Sequence, residues 1–242
     1  MQQIMGILNL TPDSFWEPSR YNMEVFNNPA VDIVDIGAVS SRPGAEAVSE
    51  EQEWQRLEPV LRHLPQGKRI SIDTTRSLIV RKAFGLIGDF IVNDISAGED
   101  DPCMLDTVAS LGLGYVAMHK CGNPRTMDSL CDYGDVVDDV LEYFRAFESR
   151  AGGAGITDWI LDPGLGFAKT PSQSIALVRN LEAFKVFGRP VLVGLADKRF
   201  TEGRTEYWHL EALRHGADIL RVHDVAAARN TIAVYSGEKS EI

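Results

Sequence analysis

Cysteine is scarce: the chain has three in 242 residues, Cys103, Cys121 and Cys131, an odd number with no Cys-x-x-Cys spacing. That argues against a disulfide framework and a cysteine zinc site, and for a reducing compartment, the cytoplasm. Long apolar runs are missing, so no stretch reads as a membrane span. The first residues pass directly into a strand-like stretch, with no basic region followed by an apolar core, and no signal peptide is expected. Basic residues are outnumbered, 24 Lys and Arg against 35 Asp and Glu, for a net charge of −11. Such a surface repels nucleic acid, and any site for an anionic substrate must be locally basic against it. No Gly-x-Gly-x-x-Gly follows the first strand-like stretch, which weakens a dinucleotide-binding reading.

What is present is alternation. Apolar strand-like runs occur at Met5–Asn9, Val31–Ile36, Ile70–Ile72, Phe90–Val92, Tyr115–Met118, Trp159–Leu161, Val191–Val193 and Ile219–Leu220. Between them lie amphipathic helical runs at Glu50–Leu64, Arg76–Phe84, Cys103–Leu111, Asp135–Arg150, Pro171–Leu181 and Tyr207–His215, and Val225–Tyr235 closes the chain. Ser49 and Gln52 have the spacing of a capping box ahead of the first of these helices. Between the first two strands only Met23–Phe26 could make a helical turn. Eight β–α units at this length predict a single (β/α)₈ TIM barrel over residues 1–242, with the first and seventh helices shortened and a frayed tail at 236–242.

In such a barrel the residues just after each strand share one rim. The chain places Asn9, Asp73, Asn93, His119, Asp162, Arg221 and His223 there, and the loops after the second and seventh strands add Arg42 and Lys198. Helix capping and turn formation account for Asp94, Asp101 and Asp224. They account poorly for Arg221 and His223, which point the same way under period-two alternation, and for Asp73, which directly ends a strand. The densest signal is Asp162-Pro163-Gly164-Leu165-Gly166-Phe167. A carboxylate at a strand end, with glycines that let a ligand approach the backbone, can accept a pair of N–H bonds from a guanidine-like heterocycle edge.

Taken together, the motifs resemble dihydropteroate synthase. Met-Gly-Ile-Leu-Asn-Leu-Thr-Pro-Asp-Ser-Phe at 5–15 is followed in order by Val-Asp-Ile-Val-Asp-Ile-Gly, Ser-Ser-Arg-Pro-Gly-Ala-Glu, Ser-Ile-Asp-Thr, Val-Asn-Asp-Ile-Ser, Met-His-Lys-Cys-Gly-Asn-Pro-Arg-Thr-Met, Leu-Asp-Pro-Gly-Leu-Gly-Phe and Leu-Arg-Val-His-Asp-Val. The resemblance implies condensation of 6-hydroxymethyl-7,8-dihydropterin diphosphate with p-aminobenzoate, with Mg²⁺ as cofactor and pyrophosphate released. It implies a pterin pocket of Asp73, Asn93, Met118, Asp162, Phe167, Gly194 and Lys198, and diphosphate binding by Asn9, Arg221 and His223 with Asn9 near the metal. Phe15, Ser41, Arg42 and Pro43 fall in the two loops that close over p-aminobenzoate, and Lys198, Arg42, Asp73 and Asp162 are the implied catalytic residues. A homodimer is implied as well. The chain departs from the family at Trp16-Glu17-Pro18-Ser19, at Val39 where a Glu is usual, and at Ala196-Asp197-Lys198-Arg199, where only the lysine of Ser-Arg-Lys-Ser remains. These departures set the alternative, a pterin-binding homologue whose p-aminobenzoate loops no longer work. The Thr-Pro-Asp-Ser-Phe loop counts against a third reading, a pterin-dependent methyltransferase on a related barrel.

Overall fold

The structure is a computed structural model that describes residues 2–10, 24–39, 48–65, 67–122, 126, 129–195 and 198–238. Its centre is one eight-stranded sheet: β1 (Gln3–Asn9), β2 (Ile33–Gly37), β3 (Arg69–Asp73), β4 (Ile91–Asp94), β5 (Gly114–Met118), β6 (Trp159–Asp162), β7 (Leu192–Gly194) and β8 (Ile219–Val222). Neighbouring strands pair in parallel in the order β6-β5-β4-β3-β2-β1-β8-β7. The ends meet at a bridge between Leu161 and Val191, and the Leu161 amide donates to the Pro190 carbonyl at 2.9 Å. The expected TIM barrel is therefore closed, with that short seam between β6 and β7.

The helices outside are α1 (Glu50–Leu61), α2 (Ser77–Ile87), α3 (Met104–Leu111), α4 (Val136–Ala154), α5 (Pro171–Arg179), α6 (Thr205–Arg214) and α7 (Val225–Tyr235). Their starts follow local chemistry. Ser49 and Gln52 close the capping box of α1, Thr170 and Gln173 close another at α5, and Asp135 accepts from the Val137 and Asp138 amides at α4. The expected run to Leu64 stops at Leu61, because Pro65 disfavours helical backbone in the residue before it. Helix α4 continues past the expected Arg150 to Ala154 and ends on left-handed Gly155. After α5 the chain tightens into a 3₁₀ segment, Leu181–Phe187, instead of continuing the helix.

Among the described residues of the β1–β2 connection, a helical turn spans 24–27. Val25 and Phe26 from this turn are buried against the barrel, and Gly6 of β1 makes the approach possible. A Cβ on Gly6 would lie 2.5 Å from the Val25 Cγ2 atom. The helical run expected at Tyr207–His215 is present in the β7–β8 connection as the ten-residue helix α6, whose Trp208, Leu210, Ala212 and Leu213 are buried. Residues 239–242 of the expected tail lie outside the described residues, whereas α7 runs to Tyr235 as the sequence pattern predicts.

Two apolar layers hold the barrel. Outward side chains of the strands pack under the helices, as where Phe144 and Phe147 of α4 meet Trp159 of β6. Inward side chains Met5, Ile33, Ile91, Val116, Ile160, Leu192 and Ile219 form a separate apolar plug. Burial of each such large side chain stabilises the fold by roughly 1.5–3 kcal/mol. Two residues further along the strands, the inward positions change character, and the site begins there.

Candidate active site

Strand alternation carries the inward row from the plug to the carboxyl mouth. Ile33 is followed inward by Asp35 and Gly37, Ile91 by Asn93, Val116 by Met118, Ile160 by Asp162, Leu192 by Gly194, and Ile219 by Arg221. Ser71 and Asp73 continue the same row on β3, and Asn9 ends it on β1 beside Gly37. Six residues assigned from sequence, Asn9, Asp73, Asn93, Met118, Asp162 and Arg221, thus come from separate strands to one opening, with Gly194 on the β7 side. Two glycines shape it. A Cβ on Gly194 would meet nothing within 4 Å, whereas one on Gly37 would press on Asp73 at 3.3 Å.

Arg221 and Asp35 organise the floor. The Arg221 Nε donates to Asp35 Oδ2 at 2.7 Å, and a terminal nitrogen donates to Asp73 Oδ2 at 2.8 Å. Asp35, fully buried, also accepts from Ser71 Oγ at 2.6 Å and Asn93 Nδ2 at 3.0 Å. One inward carboxylate therefore orients the amide of β4 and the guanidinium of β8. Burial works against the Arg221 charge, but Asp35 and Asp73 outweigh it and hold the group protonated, above its ordinary range. Asp73 is pushed by burial up to about 7, against the pull of Arg221. Burial likewise raises Asp162, while the Gly164 amide, Lys198 and Arg221 act in the opposite sense.

The turn after β6 is set by backbone geometry. Gly164 has φ +68°, and a Cβ there would lie 1.9 Å from the His119 carbonyl oxygen, so only glycine fits. Its N–H donates to Asp162 Oδ1 at 2.8 Å, and the His119 N–H donates to the Asp162 carbonyl at 3.0 Å. Further along the turn the Phe167 ring carries Lys198 Nζ at 4.3 Å from its centroid. Phe167, Lys198 and Asp162 thus belong to one cluster.

Other residues fall where the sequence did not place them. His119 follows inward Met118 and is 4% exposed, packed edge-on against Tyr143 and bonded to Lys169, so it is a buried group and not a rim group. Burial and Lys169 lower it to about 3. Asp94, Asp101 and Asp224 are turn and cap residues as expected: they accept from the amides of Ser96 and Gly98, of Ser77 and Cys103, and of Ala227. His223 lies just beyond β8 and is exposed. Phe15, Ser41, Arg42 and Pro43, and the departures at 16–19 and 196–197, lie outside the described residues.

Three groups escaped the sequence reading. Asp35 lies inside a run read as plain strand, although its position two residues before Gly37 is the available signal. Glu53 of α1 is buried, accepts from Thr74 Oγ1 at 2.6 Å, and pairs with Arg76. Arg76 also donates to the Val48 carbonyl at 2.5 Å, so the residue after Asp73 and the described end of the Arg42 loop share one anchor. Lys169 is the third, and no sequence pattern marks it.

This arrangement can accept several N–H bonds in a shielded slot and present cationic groups at its edge. A family profile described as pterin binding enzyme matches residues 5–223. A dihydropteroate synthase of Synechocystis sp. is 39% identical over 248 residues, covering 93% of this chain and 86% of its own. The Yersinia pestis dihydropteroate synthase in a sulfonamide drug complex superposes with a TM-score of 0.90 at 29% identity, covering 99% of this chain and 95% of that one. The Thermus thermophilus dihydropteroate synthase in complex with 4-aminobenzoate gives a TM-score of 0.86 at 36% identity, with coverages of 98% and 95%.

Proposed function

The chain belongs to the pterin binding enzyme family as a dihydropteroate synthase, and on that premise we propose how its residues divide the work. Asp73, Asn93 and Asp162 hold the hydrogen-bonding edge of the pterin, and Met118, Phe167 and Gly194 wall it. Lys198, set on the Phe167 ring, reaches both the pterin and the p-aminobenzoate. Asn9, Arg221 and His223 receive the diphosphate, and Phe15, Ser41, Arg42 and Pro43 close over p-aminobenzoate. The observation that carries this reading is the inward row: a half-buried acceptor on β3 and buried ones on β4 and β6 face a gap left by Gly194, with one guanidinium among them.

The reaction breaks the bond between the pterin methylene carbon and the diphosphate oxygen. It then forms a bond from that carbon to the p-aminobenzoate nitrogen, which loses a proton. The barrel's part is to orient the pterin and to stabilise charge on the leaving diphosphate. Two of the five Arg221 N–H donors are spent on Asp35 and Asp73, and the rest remain for a ligand among the described residues.

Mg²⁺ belongs to the same proposal. Among the described residues no three His, Cys, Asp or Glu groups converge on a metal position. The donor set fits a Mg²⁺ held mainly by diphosphate oxygens and water, for which the Asn9 amide oxygen at the end of β1 suffices as protein ligand. Bound there, the ion would neutralise charge developing on the leaving group. A cytoplasmic compartment is supported by the three free thiols, a homodimer by exposed Tyr207 and Tyr235 on the mutually packed α6 and α7, and freedom from nucleic acid by the acidic surface.

Purified protein given the pterin diphosphate, p-aminobenzoate and Mg²⁺ should form dihydropteroate and pyrophosphate, and should rescue growth of a strain lacking its own synthase. A folded sample that binds pterin yet makes no product under any Mg²⁺ concentration would sink the assignment of the p-aminobenzoate loops.

A further inference from the structure

Beneath the turn that carries Asp162 lies a buried lysine that the proposed reaction does not use. Lys169 is 7% exposed. Its Nζ lies 2.8 Å from His119 Nδ1, 3.1 Å from the Gly164 carbonyl oxygen and 3.0 Å from the Phe167 carbonyl oxygen. An ammonium has three N–H donors, and the acceptors come from three residues, with the His119 carbonyl oxygen adding a longer contact at 3.5 Å. Ala168, at φ +49° in the left-handed region, aims the side chain back under its own loop. A non-glycine residue held there costs about 1–3 kcal/mol, so the surrounding contacts must over-determine it.

Each Lys169 partner leads to a site residue. The Gly164 carbonyl is held by Lys169 while the N–H of the same residue donates to Asp162 Oδ1. The Phe167 carbonyl is held by Lys169 while its ring carries Lys198. His119 directly follows Met118 at the end of β5. We propose that Lys169 is the positioning residue of the pterin pocket, a three-way tie that fixes the Asp162 carboxylate, the Phe167 ring and the end of β5 relative to one another.

The tie also sets a tautomer. A donating ammonium makes His119 Nδ1 an acceptor, which puts the imidazole proton on Nε2, facing Cys121 Sγ at 3.9 Å; Cys121 in turn lies 3.5 Å from the Tyr133 hydroxyl. Burial draws Lys169 down to about 7, while Cys121 and Asp162 act in the opposite sense.

The inference rests on the pterin reading of the pocket, and its test separates the two. Calorimetry with 6-hydroxymethylpterin on the wild-type protein comes first, and failure to bind there overturns the pocket itself. Given wild-type binding, Lys169→Met, which keeps the length and loses the donors, should weaken pterin affinity about tenfold. It should raise the KM for the pterin diphosphate more than that for p-aminobenzoate. A folded Lys169→Met protein binding the pterin within twofold of wild type overturns the proposal. If that variant fails to fold, His119 decides. His119→Asn places an amide oxygen where Nδ1 accepts and should keep the affinity, whereas His119→Ala should lose it, and equal affinities of the two overturn the proposal. Nitrogen-detected NMR of His119 should show the neutral Nε2–H form in the wild type, and a dominant Nδ1–H form would equally overturn it.

Discussion

Asp35 and Asp73 reach one guanidinium from neighbouring strands, and this shared partner makes the floor of the site sensitive to any single deletion. Replacing Asp35 by Ala leaves Arg221 half-paired and the Asn93 and Ser71 donors unmet; breaking a buried pair this way costs about 3–5 kcal/mol, which urea unfolding would report. Asp73 behaves differently. Its folded value, raised by burial to about 7, lies above the ordinary carboxylate value of 3.8, so its contribution to stability is fully present below 3.8 and is lost as pH rises through about 7. Asp73→Asn, which stays neutral, should therefore gain in melting temperature over wild type as pH is raised from 4 to 8, while losing pterin binding. An unchanging gap across that range would contradict the raised value. Asp162→Asn turns an acceptor pair into an acceptor and a donor opposite the pterin edge, and should lower kcat/KM on the order of a hundredfold. At this scale the sequence disclosed residues that end strands, Asp73, Asn93 and Asp162, because period-two alternation and an adjoining turn mark them. Asp35 escaped because the same run holds Asp32, which caps the Ile4 amide at 2.8 Å, and two acids three apart obscure which of them faces inward. Lys169 escaped because its direction depends on the backbone at Ala168, which composition does not reveal.

Among the elements, the β1–β2 connection shows how closely its described turn packs on the barrel. The turn at 24–27 lies close enough to β1 that Gly6 has to lack a side chain, and Val25 and Phe26 cover the strand. Gly6→Ala should overpack this contact and destabilise by about 1–3 kcal/mol, measurable as a lower denaturant midpoint with an unchanged slope. Ser49→Ala removes the cap of α1 and should cost about 1 kcal/mol, with activity retained. Capping boxes and strand cores were legible because they are local. Helix α6 was legible in the same way, read at Tyr207–His215 from its amphipathic run and observed at Thr205–Arg214. The loops bearing Phe15 and Arg42 were identified by motif alone and lie outside the described residues.

Across the whole molecule, the order of eight parallel strands followed from alternation and the preference for right-handed crossovers, so the architecture was the most legible level of all. What alternation could not reveal is that the ring is unevenly fastened. Every neighbouring pair but one shares a ladder of at least three rungs, while β6 and β7 meet at the single bridge from Leu161 to Val191. Asp162 and Gly194 stand on either side of that join. The empty protein should therefore breathe there first, and amide hydrogen exchange along Leu192–Gly194 should outpace that along β2 and β3. A pterin held by Asp162 and walled by Gly194 would lie across the gap as an added rung, so its arrival should slow exchange most along β7, and the substrate would complete the cylinder that receives it.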